Sequence, residues 1–279
     1  MMRLDIFNAN VVTGDGESFL DNTSVIIENG LITDLPRMGY LPYNFYTHRL
    51  IDARGGVVMP GLINIHSHAI CFGPTMVWAW EPLPNERVLA NLNRHLLQGT
   101  TTMLDLDGFV LPFENEAINK VHPINIKRTT LHTPKNFKAA ELASGLKFDE
   151  WHRNFTAEEA VSLGALALGE VGSPGTSYGT YEKSLRLGKP LLATDALALD
   201  HAVFDKDEGA LRKAMKAAGL ENMTIDEVKK LVEETSIIPI AAHNEAILET
   251  IEYVPKLGVP TLLHTEPPSQ EAVLQAAKE

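Results

Sequence analysis

Cysteine occurs once in this 279-residue chain, as Cys71. A lone thiol cannot close an internal disulfide, which points to a reducing compartment and so to a cytoplasmic protein. Basic residues are also scarce. There are 24 Lys and Arg against 36 Asp and Glu, a formal net charge of -12, and no Lys/Arg cluster interrupts that acidity. A nucleic-acid partner is therefore not expected, because phosphate backbones attract basic patches. Long apolar runs are missing too. No stretch nears the roughly 20 apolar residues that span a bilayer, so no membrane role is expected. The opening MMRLDIFNANVV alternates like a strand and lacks the basic head and long apolar run of a signal peptide. There is no internal repeat, no low-complexity tract and no Gly-rich phosphate loop after a late strand.

What the chain does have is an ordinary globular balance, 44% hydrophobic and 22% charged. Its length suits one large α/β domain with a small appendage. Residues 1–58 read as short β-branched strands, LDIFNANVVT, SVIIENGLITDL and HRLIDARGGVVM, broken by turns such as Gly14-Asp15-Gly16 and Asn29-Gly30. Asn-Gly between VII and LIT is a hairpin signal. A small N-terminal β-sandwich module is the expectation for residues 1–58.

From residue 59 onward strands alternate with helices. GLINIHSHA, TTTMLDLDG, INIKRTTLHT, LGALALGEVG, GKPLLATDA, SIIPIAAHN and VPTLLHTE make seven candidate strands. Helices are expected over about 85–98, with Gly99 as a C-cap, and after the capping boxes at Thr156–Glu159 and Thr224–Glu227. Such alternation implies a parallel sheet. The leading fold class is α/β, a (β/α)8-type TIM barrel over residues 59–279, in which chemistry sits at the carboxyl ends of the strands. Polar residues collect at those ends: His66 and His68, Asp105 and Asp107, His132, Glu170, Thr194 and Asp195, His243, His264.

His66-Ser67-His68 is the sharpest of these signals. On a strand, residues i and i+2 point the same way, so two imidazoles can grip one divalent ion. Two unrelated polar residues at a strand end would look the same. The surroundings add weight. VVMPGLINIHSHA resembles the first barrel strand of the amidohydrolase superfamily, where Pro-Gly, an apolar run and His-x-His follow one another. IIENGLITDL and IDARGGVVMPG resemble that family's N-terminal module, and GTTTMLDLDG its second strand. The resemblance is good to about residue 108 and rests on strand-end residues beyond.

The resemblance implies a binuclear hydrolase. It makes His66 and His68 metal ligands, Glu170 of LGEVG the bridging carboxylate, and His243 and His264 the ligands from strands five and six. The LGEVG form looks most like the enamidase and adenine deaminase branches. The implied cofactor is a pair of divalent ions, Zn2+ first, with Fe2+ or Mn2+ fitting the same donors. The implied reaction is cleavage of a C–N bond in a cyclic amide, enamide or similar small molecule by metal-activated water. His132, Trp78 and Asp195 are candidates to touch substrate, though packing explains His132 and Trp78 as well. Asp105 and Asp107 are candidates to orient a ligand histidine. Cys71 reads as packing.

The strand count leaves three registers open. GKPLLATDA is strand five and the two histidines end strands six and seven; or residues 176–235 are an insertion and the histidines end strands five and six; or His264 ends strand five. The family's strand-eight aspartate, its general base, has no counterpart here, so the catalytic base is unassigned and the barrel is incomplete within this chain. An open barrel exposes sheet edges and apolar side chains. A second polypeptide completing the barrel in an oligomeric complex is the leading explanation. A non-catalytic or degenerate relative, acting as a scaffold or ligand-binding subunit, is the alternative.

Overall fold

The computed structural model describes residues 3–37, 49–75, 82–144, 147–172, 179–264, 270–276 and 278. They fall into two units, residues 1–62 and 63–279.

The first unit is built on β1 (Arg3–Val12) and β2 (Phe19–Glu28), which pair antiparallel. β3 (Leu31–Asp34) folds back on β2 through Asn29 and Gly30, whose φ of 53° and 83° are the left-handed pair that a tight hairpin needs. β4 (Arg49–Asp52) and β5 (Val57–Val58) both run parallel to β1. Ala9, Val11 and Val25 are buried on one face. Leu31, Ile32, Ile51 and Val57 are exposed. Of the expected sandwich, the described residues show this one sheet, order β3-β2-β1-β4.

In the second unit, β6 (Leu62–Ser67), α1 (Asn85–Leu97), β7 (Thr100–Asp105), α2 (Pro112–Val121) and β8 (Asn125–Arg128) alternate as the sequence implies. The three strands form a sheet in chain order, with β7 and β8 parallel. Then come α3 (Pro134–Ser144), α4 (Glu150–Asn154), α5 (Ala157–Ser162) and β9 (Leu168–Val171). A parallel bridge from Thr130 to Leu168, with Thr130 N–H donating to the Ala167 carbonyl and Gly169 N–H to that of Thr130, carries the sheet on to β9.

Past β9 the structure corrects two expected strands. GKPLLATDA lies across the start of α7 (Ala193–Phe204), which follows α6 (Thr180–Leu187). ATDALALDHAVF is rich in Ala and Leu, and Ala196 and Leu199 bury at helical spacing. α8 (Glu208–Ala217), α9 (Ile225–Val232) and a π-helical turn, Glu233–Ile237, follow. SIIPIAAHN enters α10 (Ile238–Leu257), where Pro239 sits in the first turn and His243, Ile247 and Thr250 bury at steps of four and three. A short apolar run does not separate a strand from a buried helix; the length of the periodic pattern does.

Only then comes β10 (Thr261–Leu263), followed by α11 (Gln270–Ala276). β10 pairs parallel with β9. The third register is thus the observed one: His264 follows the strand next to that of Glu170, and α6 to α10 form the long connection. Among the described residues the strands β6 to β10 do not close into a barrel. No described helix is long and apolar enough to cross a membrane.

The helices α7, α8 and α9 share their own apolar core of Leu199, Leu211, Val228 and Val232. Near it, Lys183 and Asp200 form a fully buried ion pair at 2.9 Å, and the Lys183 ammonium also donates to the Ser236 hydroxyl. Burial lowers the Lys183 pKa and raises that of Asp200, against their mutual attraction. Removing one partner strands the other charge, which costs about 3–5 kcal/mol, while removing both does not. Lys183→Met is expected to lose that much in urea unfolding, and Lys183→Met with Asp200→Leu to recover most of it. Additive losses in the double variant would contradict this account.

A second polar contact ties α4 to α2. Asp149 caps α4, its carboxylate lies 2.7 Å from His152 Nδ1, and Glu114 lies 3.6 Å from His152 Nε2. Burial alone would lower the His152 pKa, but Glu114 and Asp149 outweigh it and hold it above 6.5. A raised pKa stabilises the fold fully below the unfolded value, and that contribution fades as pH rises through the folded value. Stability is therefore expected to fall as pH climbs above about 6.5, and His152→Leu to flatten that slope. Denaturant midpoints at a series of pH values check both.

Candidate metal centre

β6 delivers His66 and His68 to its carboxyl end, as the period-two spacing requires. Their rings stand edge to face, 5.4 Å between centroids. β9 delivers Glu170, which is 3% exposed. His66 Nε2 lies 3.3 Å from Glu170 Oε1, and His68 Nε2 lies 3.1 Å from Oε2. From the end of β10, His264 Nε2 lies 3.5 Å from Oε1. Three imidazoles, from the ends of β6 and β10, thus converge on one buried carboxylate of β9.

Close approach of β9 and β10 depends on glycine. A Cβ on Gly169 would stand 2.8 Å from the Leu262 carbonyl oxygen and from Leu262 Cβ. One on Gly172 would stand 2.8 Å from the His264 carbonyl oxygen. Both have positive φ, 147° and 103°, where a side chain is also strained. The glycines flanking Glu170 are what allow His264 to reach it.

The electrostatics are those of donors gathered for a cation. Burial opposes ionisation of Glu170, but His68, His264 and His66 outweigh it and its pKa falls below 4.5. Burial likewise opposes protonation of His68, yet hydrogen bonds to Asp107 and Glu170 push its pKa up to about 10. Asp107 holds His68 firmly: Oδ1 is 3.0 Å from His68 Nδ1, and Oδ2 accepts the Ala69 N–H at 2.8 Å. With Nδ1 held by Asp107, Nε2 is the nitrogen that faces Glu170, and it is there that a bound cation would take the place of the proton, the usual arrangement of a carboxylate behind a ligand histidine. Ligand atoms of His66, His68 and Glu170 lie within 4.8 Å of one another. Two imidazole nitrogens and a carboxylate oxygen at that spacing fit a divalent ion such as zinc.

Other expected residues fall elsewhere. His243 does not end a strand; it lies in the second turn of α10, 2% exposed. Asp195 is in the first turn of α7, not at a strand end. His132 is buried among Phe109, Phe137 and Phe155, at ring distances of 5.6, 5.8 and 5.0 Å, and its Nδ1 is 3.0 Å from the Thr130 hydroxyl. Burial, with His152 and Arg128 adding to it, pushes its pKa down to about 3. It reads as a neutral core histidine. Trp78 lies outside the described residues. Cys71 packs with Met103, Ile118 and Ile126, and burial pushes its thiol pKa up. Asp105 is buried behind Asp107, its carboxyl pushed well up by burial and then by Asp107. Sequence reading named both aspartates without choosing; alternation past a strand end was the available signal, and Asp107 is the one that reaches His68.

No family model matches the chain. Among curated proteins it is similar to the imidazolonepropionase of Treponema denticola, 27% identical over 157 residues, covering 41% of this chain and 38% of the relative. It is also similar to the 5-methylthioadenosine/S-adenosylhomocysteine deaminase of Desulfitobacterium hafniense, 31% identical over 109 residues, covering 32% of this chain and 25% of the relative. The match thus spans well under half the length of either protein. Solved structures that align with it include a prolidase complexed with N-methylphosphonate-L-proline (18% identity, 93% of this chain and 77% of that one, TM-score 0.43) and the ochratoxinase of A. niger (18%, 98% and 78%, TM-score 0.40). Its sequence relatives and its His-x-His strand together support a place in the amidohydrolase superfamily.

Proposed function

We propose that this chain carries the metal-binding part of a hydrolase that cleaves a C–N bond in a small non-peptide molecule, a cyclic amide, an enamide or a related compound. One observation carries the reading: His66, His68 and His264 meet on Glu170 at the carboxyl ends of three strands. The name deaminase borne by one relative, which denotes loss of an amino group, supports the bond type.

His66, His68 and Glu170 would hold one divalent ion, and Glu170 with His264 would face a second, zinc being the first choice for both. Such ions would supply a Lewis acid that polarises the bond under attack and makes water acidic enough to ionise near neutral pH. The chain's own residues set the frame. Asp107 accepts the Nδ1 proton of His68 and so fixes its tautomer. Glu170, ionised in a buried setting, offers one oxygen toward His68 and the other toward His66 and His264. The sheet edge at β6, with Ile63 and Ile65 more than half exposed, is an apolar strand open to pairing. We propose that a second polypeptide in an oligomeric, cytoplasmic complex adds the pairing strands, together with the carboxylate that takes the proton from the attacking water.

Elemental analysis of the protein, purified with whatever accompanies it, tests the centre. His66→Ala with His68→Ala should remove bound metal while circular dichroism stays unchanged; full occupancy in that variant would end the assignment. Asp107→Ala should leave the ligands in place but weaken zinc binding about 10–100-fold, read by competition with a chelating dye. Mass spectrometry of the intact assembly reports the second chain, and a metal-loaded, active protein without one would contradict that part.

A further inference from the structure

The outer side of α3 carries a groove that the proposed chemistry does not use. α3 turns Asn136 and Ala139 inward, toward Thr250 and Ala246 of α10. Its opposite side is a stripe of Pro134, Phe137, Lys138, Glu141 and Leu142, at steps of three, one, three and one. Lys147, just before α4, and Arg153 within it complete the lining, around a cavity of about 420 Å3. That volume suits a small organic ligand.

The groove has an apolar part and a charged part. Phe137 is held in place by packing, its ring 5.2 Å from Phe109 and 5.2 Å from Phe148, and Leu142 beside it is 39% exposed. Arg153 is held as well. Its Nε–H donates to the Phe148 carbonyl at 3.0 Å and its Nη2 pairs with Glu141, which leaves Nη1 without a partner among the described residues. Glu141 is committed further, because it also accepts the Phe148 N–H at 3.2 Å. Lys147 is exposed and has no ion-pair partner among the described residues. Lys138 lies 3.6 Å from Glu245 of α10, but both side chains are more than half exposed, and such a pair contributes little in water. Three cations thus stand against one carboxylate in the lining, within a chain of net charge -12. That local reversal of sign next to an apolar surface is complementary to an anion with an apolar body. A guanidinium fixed in advance also loses little freedom on binding.

We propose that this groove binds a small organic carboxylate, with its apolar body on Phe137 and Leu142 and its carboxylate between Arg153 and Lys147. Both parts of the ligand are needed. A bare inorganic anion leaves the apolar surface wet, and a neutral apolar molecule leaves the cations unpaired. The site is built on α3 and α4 and stands independently of the metal reading.

The experiment titrates hydrocinnamate into the isotope-labelled full chain and follows it by nuclear magnetic resonance. The Leu142 methyl and Arg153 Nε–H signals should move together and saturate at one ligand per chain. Hydrocinnamamide, which lacks the charge, and acetate, which lacks the apolar body, should each bind at least about tenfold more weakly. Lys147→Glu, a change at an exposed position, should weaken hydrocinnamate about tenfold while circular dichroism stays unchanged. Shifts that never saturate would overturn the proposal. So would equal binding of the acid and its amide, equal binding of hydrocinnamate and acetate, or a Lys147→Glu variant that binds as the parent does. Should that variant fold poorly, the comparison of the three small molecules on the parent chain decides by the same criteria.

Discussion

A carboxylate only 3% exposed, with three imidazoles around it, cannot be understood without a positive charge nearby. Taking an anion out of water is expensive, and only paired or coordinated anions survive it. Glu170 is therefore the point on which the second unit turns. β6, β9 and β10 are held in a fixed relation because their carboxyl-terminal side chains share it. Gly169 and Gly172 are required because any side chain there would push β10 away. Asp107 is required because an imidazole free to rotate would not present the right nitrogen.

The sequence was most readable where neighbouring residues carried the message. His66 and His68 lie two apart on a strand, so their common face follows from the pleat. Glu170 sits between an apolar run and a glycine, and its burial follows from that. The Asn29-Gly30 hairpin and the Thr156 and Thr224 capping boxes are equally local, and all are present. What was hidden is what depends on length and on distance. SIIPIAAHN has strand-like composition over nine letters; the 20-residue helix that contains it shows only when the buried positions are followed through Thr250. His243 was placed at a strand end for that reason.

Other features had no local signature at all. Lys183 and Asp200 carry no mark in the sequence, yet they meet in full burial across α6 and α7. Nothing in one dimension pairs them. Asp107 was visible only as one of two aspartates after β7, and what selects it is the position of His68, supplied by another strand. The candidate metal ligands follow the same logic: β6 and β9 are read singly, but only the folded sheet shows which later strand lies beside Glu170.

The order of elements has a kinetic consequence. β10 pairs with β9 only after the whole of α6 to α10 has been bridged, since Leu168 and Thr261 are register partners. Joining ends so far apart carries a large closure entropy, and contacts of long sequence separation form slowly. The helical stretch between them has its own apolar core and makes mostly local contacts, which form fast. The chain thus gains a self-contained helical block early and the histidine at the end of β10 late. Until β10 docks, the carboxylate on β9 faces only the β6 histidines, and the half-built sheet presents an unpaired edge to its surroundings. The window in which this protein is most open to misassembly is the same window in which its centre is incomplete.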